Sequence, residues 1–378
     1  MRESPVLLAT NTFGLLDGEI NGVAYTCRNV VRMFRQARMA IDVLTYGRPE
    51  RIEVDGSVRL LVHDPKNGLN IDPALRIDPF ISLGRIRREA AATRYSLVHS
   101  TTPDPLGWLA ADIAEQQRVP FVAGYHTALD AYARVRLGEV AETLMTALLQ
   151  WYYDRADMIL VPSMAVQRTL RPRFNAPIDI LGRGIDTDVF SPLHRTRAED
   201  DGEVRAIYVG RIAQEKGLDR LPRIFDGSVP AALTIVGDGP YAAQLRRLCP
   251  AARFTGMLSG QRLSEEFANA DLFVFPSETD SFGNVLLQAM ASGVPAIVTD
   301  VLGPKEVVIH GVTGFVTNGI NEFRDACRRL AADRALRSRM SLSARRHAAR
   351  FQWQAVFEKL LEHYESVGWN RVNLRRAA

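Results

Sequence analysis

The feature that most constrains this 378-residue chain is a repeated alternation of short, apolar, β-branched runs with longer amphipathic segments. The runs have the length of buried strands, and the segments between them have the periodicity of helices. This alternation predicts parallel sheets that are covered by helices on both faces, which defines the α/β class. Strands are predicted at residues 5–9, 41–45, 58–62, 97–99, 121–123, 158–161, 206–209, 233–236, 253–255, 272–275 and 296–298.

A polar, turn-rich stretch from Ser191 to Gly202 interrupts this pattern, and the pattern restarts after it. Such a stretch is typical of a linker. We therefore predict two doubly wound, Rossmann-like domains, at residues 1–192 and 203–351. Helices are predicted at residues 23–37, 81–92, 106–116, 141–155 and 353–367.

Composition excludes several classes of protein. Hydrophobic residues make up 47% and charged residues 24% of the chain, which is ordinary for a globular protein. Cys27, Cys249 and Cys327 are far apart and outside any Cys/His cluster, so the sequence indicates neither a disulfide framework nor a zinc site. The apolar run after Pro5 is too short for a signal peptide, so we expect a cytoplasmic protein that does not span a membrane.

The net charge is +4, and the basic residues are locally clustered. No nucleic-acid recognition motif accompanies them, so we do not expect nucleic acid as a partner. Two interpretations remain, solvated helix faces or a surface that is attracted to anionic lipid or another polyanion. The clusters are Arg32, Arg35 and Arg38; Arg85, Arg87 and Arg88; and a looser group between Arg324 and Arg346.

Ligands of open α/β sheets bind beyond the carboxyl ends of the strands, so the loops that follow strands are the candidates for chemistry. The first, residues 11–23, contains Gly22, where the backbone can approach an anion closely; a plain tight turn fits equally well. It lacks the G-x-G-x-x-G pattern, which argues against a nicotinamide oxidoreductase. The second, residues 209–217, carries Arg211 and Lys216, two cations that suit a diphosphate, although a solvated basic loop is the alternative.

Two further loops carry polar side chains. Residues 275–290 end a strand and lead into a helix, whose first amides suit a phosphate. Within them Asp280 suits sugar hydroxyls or a helix cap, and Gln288 is placed to reach a ribose. His126 lies in the segment 124–127, which directly follows the strand at 121–123, and this position favours a functional histidine over one on an apolar helix face.

Together, and in this order along the chain, these segments resemble the retaining GT-B glycosyltransferases of family 4. The resemblance extends over nearly the whole sequence and includes Ser163 and residues 183–190, 236–240, 254–256, 270–277, 289–295 and 311–315. Within the family, residues 20–23, 102–107, 125–127 and 132–133 resemble bacterial enzymes that glycosylate lipids or cell-surface glycans.

The resemblance implies a GT-B fold with two facing Rossmann-like domains and a cleft between them. The first domain would bind the acceptor, the second would bind the donor, and the C-terminal helix at 352–378 would pack back on the first. The implied reaction is retaining transfer of a hexosyl group from a nucleotide-diphosphate sugar to a hydroxyl of a lipid or glycan.

The resemblance also implies roles for the candidate residues. Gly22 would present its N–H to the donor phosphates, and His126 would contact the transferred sugar or support the reaction centre. Arg211 and Lys216 would neutralise the leaving diphosphate, Asp280 would hold sugar hydroxyls and Gln288 the ribose. The remaining donor-binding residues are Ser281, Phe282, Gly283, Asn284 and Val285.

The sequence departs from the family pattern at two positions, since the family has glutamate where this chain has Asp280 and Gln288. Asp280 keeps the charge on a shorter side chain, and Gln288 keeps only an acceptor oxygen. We expect no cofactor and no metal, because Arg211 and Lys216 supply positive charge. The string Asp186-Thr187-Asp188 spells the D-x-D of metal-dependent transferases of another fold, but it lies on the inter-domain segment. The alternatives are a non-catalytic GT-B scaffold and a GT-B sugar epimerase or phosphorylase.

Overall fold

The computed structural model describes residues 4–16, 22–65, 69–72, 75–77, 84–126, 129–130, 133, 138–198, 202–278, 280 and 282–370. The chain divides into two compact units. The first unit combines Met1–Gly182 with Trp353–Ala378, and the second is Arg183–Gln352.

The first unit is built on a sheet in the order β10-β9-β8-β7-β1-β2-β4-β3, in which every described pair is parallel except β3 with β4 at one edge. The order reverses between β1 and β7. Its strands are β1 Val6–Thr10, β2 Ile41–Tyr46, β3 Arg51–Asp55, β4 Val58–His63, β7 Leu97–Ser100, β8 Phe121–Gly124, β9 Met158–Val161 and β10 Ile178–Ile180, while β5 Leu69–Asp72 and β6 Leu75–Ile77 pair separately.

The central strands are buried along their whole length because helices cover both faces of the sheet. The helices are α1 Gly22–Gln36, α2 Arg85–Ala92, α3 Pro105–Gln117, α4 Glu139–Tyr153 and α5 Met164–Leu170. The sequence explains why α3 begins where it does. Asp104 accepts a hydrogen bond from the Gly107 amide, and Pro105 occupies the first helical position, where no backbone N–H is needed.

The second unit is a parallel sheet in the order β13-β12-β11-β14-β15-β16. This is the doubly wound order, and it reverses between β11 and β14. Its strands are β11 Arg205–Val209, β12 Ala232–Val236, β13 Arg253–Gly256, β14 Leu272–Phe275, β15 Ala296–Thr299 and β16 Gly314–Thr317. Its helices are α6 Leu221–Ile224, α7 Ala242–Leu248, α8 Gly260–Ala268, α9 Asn284–Ala291, α10 Pro304–Val307, α11 Gly319–Ala332 and α12 Arg334–Ala348, with 3₁₀ turns at Pro192–His194, Gln214–Lys216 and Leu218–Arg220.

The last helix, α13 Trp353–Ser366, belongs to the first unit. The Phe357 ring packs edge-on against Phe34 of α1 at 5.2 Å between centroids. The Tyr364 hydroxyl lies 2.7 Å from Nδ1 of His99 on β7, and both side chains are buried. Because each large apolar side chain that becomes buried contributes about 1.5–3 kcal/mol, α13 is a substantial part of this core.

The boundary between the units lies earlier than the sequence predicts. Residues 183–192, which we assigned to the first domain, pack with the second unit. Phe190 contacts Phe267 of α8 edge-on at 6.0 Å between centroids, and the Ser264 hydroxyl donates to the Val189 carbonyl at 2.5 Å. The apolar side chain of Phe190 therefore fixes this segment to α8, immediately before the polar stretch that we interpreted as the linker.

Candidate functional site

Two loops of the second unit meet where the strand order reverses. One follows β11 and carries Arg211 and Lys216, and the other follows β14 and carries Asp280. Gly217 has a φ of +65°, and a Cβ at this position would lie 2.4 Å from the Pro276 carbonyl oxygen. The two loops are therefore in backbone contact at a point where only glycine fits.

Lys216 and Asp280 form an ion pair across these loops. The Lys216 Nζ lies 2.8 Å from Oδ1 of Asp280, and the two side chains are 19% and 21% exposed. The other carboxylate oxygen, Oδ2, is buried and has no hydrogen-bond partner within the described residues. Asp280 thus has one oxygen held by Lys216 and one that no donor among the described residues satisfies.

Arg211 is the second cation of this site. Its guanidinium pairs with Glu215, one turn further along the chain, and each side chain is about one third exposed. Below it, the buried Tyr208 hydroxyl donates to the Arg211 carbonyl at 3.0 Å. Burial and the nearby charge of Asp280 raise the pKa of Tyr208 well above its usual value, so the hydroxyl remains a donor and fixes the Arg211 backbone.

Helix α9 begins beside these charges. Gly283 precedes it with a φ of +83° and offers no side chain to cap the first amides, which leaves that turn suited to an anion. Phe282 is buried, and Asn284 and Val285 are half-buried. Ser281 lies outside the described residues, as do residues 17–21 of the first candidate loop, Thr127 and Tyr132.

Gln288 lies one turn into α9 and is 8% exposed. Its Oε1 atom is buried without a hydrogen-bond partner in the described part of the chain. A buried polar atom left unsatisfied costs about 1–3 kcal/mol, so such atoms need an explanation. The unpaired Oδ2 of Asp280 lies in the loop that opens the same helix, so both unsatisfied acceptors belong to one loop–helix segment at this edge of the sheet.

His126 and Gly22 belong to the first unit. His126 follows β8, is half-buried, and lies close to the strand end, since a Cβ on Gly124 would be 2.9 Å from its Nε2. Gly22 opens α1 and is exposed, and its carbonyl accepts from the Thr26 hydroxyl at 2.8 Å. Both residues therefore lie at the carboxyl edge of the first sheet, whereas the other described candidates converge in the second unit.

The structure adds two polar residues at the carboxyl edge of the first sheet to which we gave no role. Asn11 follows β1 and Asp104 follows β7, and each has a buried side-chain oxygen without a partner in the described residues. Burial raises the pKa of Asp104 to about 7. The sequence signal for Asp104 is its position before Pro105, which is typical of a helix cap, and Asn11 is the first residue of the candidate loop at 11–23.

The described residues contain no group of three or more His, Cys, Asp or Glu side chains that could hold a metal ion. Asp186, in the D-x-D string, instead accepts hydrogen bonds from the amides of Asp188 and Val189 at 3.2 and 3.3 Å. This carboxylate stabilises a turn. None of the helices seen in the described ranges is long and apolar enough to cross a bilayer.

Comparison with known families matches both parts of the chain. Residues 20–189 match the family described as Glycosyltransferase Family 4, and residues 203–333 match Glycosyl transferases group 1. A GDP-mannose-dependent alpha-mannosyltransferase of Mycobacterium tuberculosis is 34% identical over 73% of this chain and 74% of its own length. The sulfoquinovosyl transferase SQD2 of Arabidopsis thaliana is 31% identical over 75% of this chain, which spans only 59% of that protein.

Solved structures match the fold at low sequence identity. The sucrose-phosphate synthase of Thermosynechococcus elongatus gives a TM-score of 0.79 at 21% identity, over 96% of this chain and 99% of that one. HepE of Anabaena, solved with UDP and glucose, gives 0.73 at 17% identity, over 96% and 100% of the two chains.

Proposed function

Because this chain belongs to glycosyltransferase family 4 and has the GT-B fold, we propose that it transfers a hexosyl group from a nucleotide-diphosphate sugar to a hydroxyl of a lipid or glycan. We further propose that the transfer retains the anomeric configuration. The observation that carries this proposal is the convergence of Arg211, Lys216 and the first turn of α9 where the second sheet reverses its strand order.

In such a reaction the nucleoside diphosphate is the leaving group, and negative charge develops on it as the bond to the sugar breaks. Cations and amides that are already in place stabilise this charge without reorganisation, which is worth several kcal/mol for a single strong donor. Arg211 is suited to bind two phosphate oxygens as a fork, and Lys216 to act as a point charge. We expect no metal cofactor, since these two cations supply the charge that a metal would supply.

The remaining candidates contact the rest of the donor in this proposal. Oδ2 of Asp280 would accept a sugar hydroxyl while Oδ1 stays on Lys216, and Oε1 of Gln288 would accept a ribose hydroxyl. For His126 and the Gly22 amide we propose contacts with the sugar and with the phosphates. The acceptor hydroxyl would attack the anomeric carbon on the face that the diphosphate leaves, and its proton would pass to the leaving phosphate.

The activities for which the relatives are named support a hexose donor but do not identify one nucleotide. GDP-mannose is named for the mycobacterial relative, and HepE was solved with UDP and glucose. As the acceptor, we propose a lipid or a glycan. We also propose that the protein works in the cytoplasm, at the inner face of the membrane. The residues that would contact anionic lipid are exposed arginines on α1, in the turn after α1 and on α2, namely Arg35, Arg38, Arg85 and Arg88.

A donor panel tests the function. Nucleotide release and thermal shift would be measured with UDP-, GDP- and ADP-sugars, for the wild-type protein and Lys216→Ala. We expect turnover with one donor that is lost in the variant, and NMR of the product anomer should show retention. Binding without turnover, once lipid and glycan acceptors have been supplied, would favour the non-catalytic scaffold, and inversion would contradict the retaining mechanism.

Two controls test the accessory parts of the proposal. Activity should survive a chelator such as EDTA, because no metal is proposed. Co-sedimentation with liposomes should increase with the fraction of anionic lipid and decrease in Arg85→Ala/Arg88→Ala. Co-sedimentation that is independent of anionic lipid would contradict the membrane proposal while leaving the transferase proposal intact.

A further inference from the structure

Each cation of the proposed diphosphate site is already paired with a carboxylate of the same unit. Lys216 is paired with Asp280 at 2.8 Å, and Arg211 is paired with Glu215. The four formal charges cancel. Asp280 has a second oxygen that suits the sugar, but nothing in the proposed reaction requires the carboxylate of Glu215.

The position of Glu215 is fixed by local geometry. It lies four residues after Arg211, in the 3₁₀ turn Gln214–Lys216, so the contact requires only this one loop. The Tyr208 hydroxyl holds the Arg211 carbonyl at 3.0 Å and crowds Gly210, where a Cβ would lie 2.8 Å from it. Because the Arg211 backbone is held in this way, loss of Glu215 would change the electrostatic environment of the guanidinium without releasing the Arg211 carbonyl.

A bound diphosphate therefore shares Arg211 with a nearby anion. The guanidinium has five donors, so it can bind phosphate oxygens while Glu215 remains close. Breaking the sugar–phosphate bond leaves a free terminal phosphate, which at neutral pH carries about one more negative charge than the same phosphate in the donor. Repulsion by the Glu215 carboxylate is consequently stronger for the nucleoside diphosphate product than for the sugar donor.

We propose that Glu215 is a positioning residue that holds Arg211 before the donor binds and weakens the binding of the nucleoside diphosphate after transfer. This inference rests on the proposed function. According to this proposal, Glu215 weakens the binding of the product more than the binding of the donor, and it thereby promotes release of the product from the second unit.

The isosteric variant Glu215→Gln tests this role. The inhibition constant of the nucleoside diphosphate, the donor KM and kcat would be measured at low and high salt. We expect the product to bind about three- to tenfold more tightly, as one unit charge removed at this range predicts, and the donor KM to fall by less. The difference should shrink at high salt because the pair is partly exposed.

Two matched variants accompany it. Glu266→Gln removes a carboxylate that pairs with Arg253 elsewhere in the same unit, and its ratio of donor KM to product inhibition constant should equal that of the wild type. Glu215→Asp keeps the charge and should restore most of the wild-type ratio. The unfolding midpoint of Glu215→Gln should stay close to that of Glu266→Gln, since exposed ion pairs contribute little stability.

The outcomes separate the inference from the function. If the wild-type protein binds a nucleoside diphosphate and Glu215→Gln leaves the ratio unchanged or weakens product binding, the role of Glu215 is wrong and the function stands. Equal tightening of donor and product would also overturn it, because it would show no discrimination. A wild-type protein that binds no nucleotide would overturn the proposed function and this inference together.

Discussion

Replacing Lys216 with alanine should affect stability and activity by different amounts. At 2.8 Å, the attraction between Lys216 and Asp280 is about 6 kcal/mol at an effective dielectric constant of about 20, before desolvation is subtracted. Desolvation offsets most of this attraction for a pair that is four-fifths buried. We therefore expect Lys216→Ala to lower the free energy of unfolding by about 1–2 kcal/mol, which corresponds to roughly 3–6 °C in the unfolding midpoint.

The effect on catalysis should be larger. In the proposed reaction Lys216 stabilises charge on the leaving diphosphate, and loss of one such donor lowers kcat by about 10²–10³-fold. The double variant Lys216→Ala/Asp280→Ala no longer leaves an unpaired carboxylate, so it should recover part of the stability and none of the activity. Calorimetric unfolding and initial rates of nucleotide release, measured on the same preparations, give both quantities.

Either of two results would refute this reasoning. Lys216→Ala that keeps more than about half of the wild-type kcat would show that the cation does not act on the leaving group, since the expected loss is far greater. A double variant that regains activity along with stability would show that Lys216 matters only because it neutralises Asp280.

Three further changes have expected outcomes. Gln288→Leu should raise the unfolding midpoint of the ligand-free protein, because it removes a buried unpaired oxygen worth about 1–3 kcal/mol, and should weaken donor binding about tenfold in calorimetric titration. Gly217→Ala should destabilise the protein by about 1–3 kcal/mol in urea unfolding, because its Cβ would lie 2.4 Å from the Pro276 oxygen at a φ of +65°. Burial raises the folded-state pKa of Asp104 to about 7, so the contribution of this carboxyl to stability is complete below about pH 4 and is lost as the pH rises through about 7. The free energy of unfolding should fall over this range with a slope of at most about 1.4 kcal/mol per pH unit. Asp104→Asn should remove this slope.

A specific result would contradict each of these three predictions. Unchanged donor affinity in Gln288→Leu would place the ribose elsewhere. A Gly217→Ala protein as stable as the wild type would show that the two loops can separate at little cost. A wild-type free energy of unfolding that is flat between pH 5 and 8, or a slope that persists in Asp104→Asn, would show that this carboxyl does not titrate in that range.

The buried strands of both sheets could be predicted because parallel strands that are covered on both faces consist of continuous apolar runs. Leu97–Ser100 and Leu272–Phe275 lie within a residue of their predicted bounds. The missed strands lack that signal. Arg51–Asp55 is a largely exposed edge strand with three charged residues, and Gly314–Thr317 begins with a glycine whose Cβ would lie 1.9 Å from the Ala296 carbonyl oxygen.

The positions of the candidate site residues could be predicted to a similar extent. Arg211, Lys216, Asp280 and Gln288 lie where the reversal of strand order places them, so the fold prediction also placed the candidate residues, although their roles stay predictions. The pairing of charges could not be predicted, because the contact between Lys216 and Asp280 joins residues 64 positions apart and depends on the backbone contact at Gly217. The local sequence around each residue therefore does not predict this contact.

The return of α13 to the first unit determines the order in which the two units can complete their folding. The first unit is interrupted by the whole of the second, so its core stays incomplete on the ribosome until α13 has been synthesised. Until then Phe34 lacks the ring of Phe357, and His99 lacks the hydroxyl of Tyr364. The second unit is contiguous in sequence and can fold earlier, as domains generally do during synthesis. A nascent chain that stalls before residue 353 would therefore carry a finished second unit and an unfinished first unit that exposes apolar surface to chaperones.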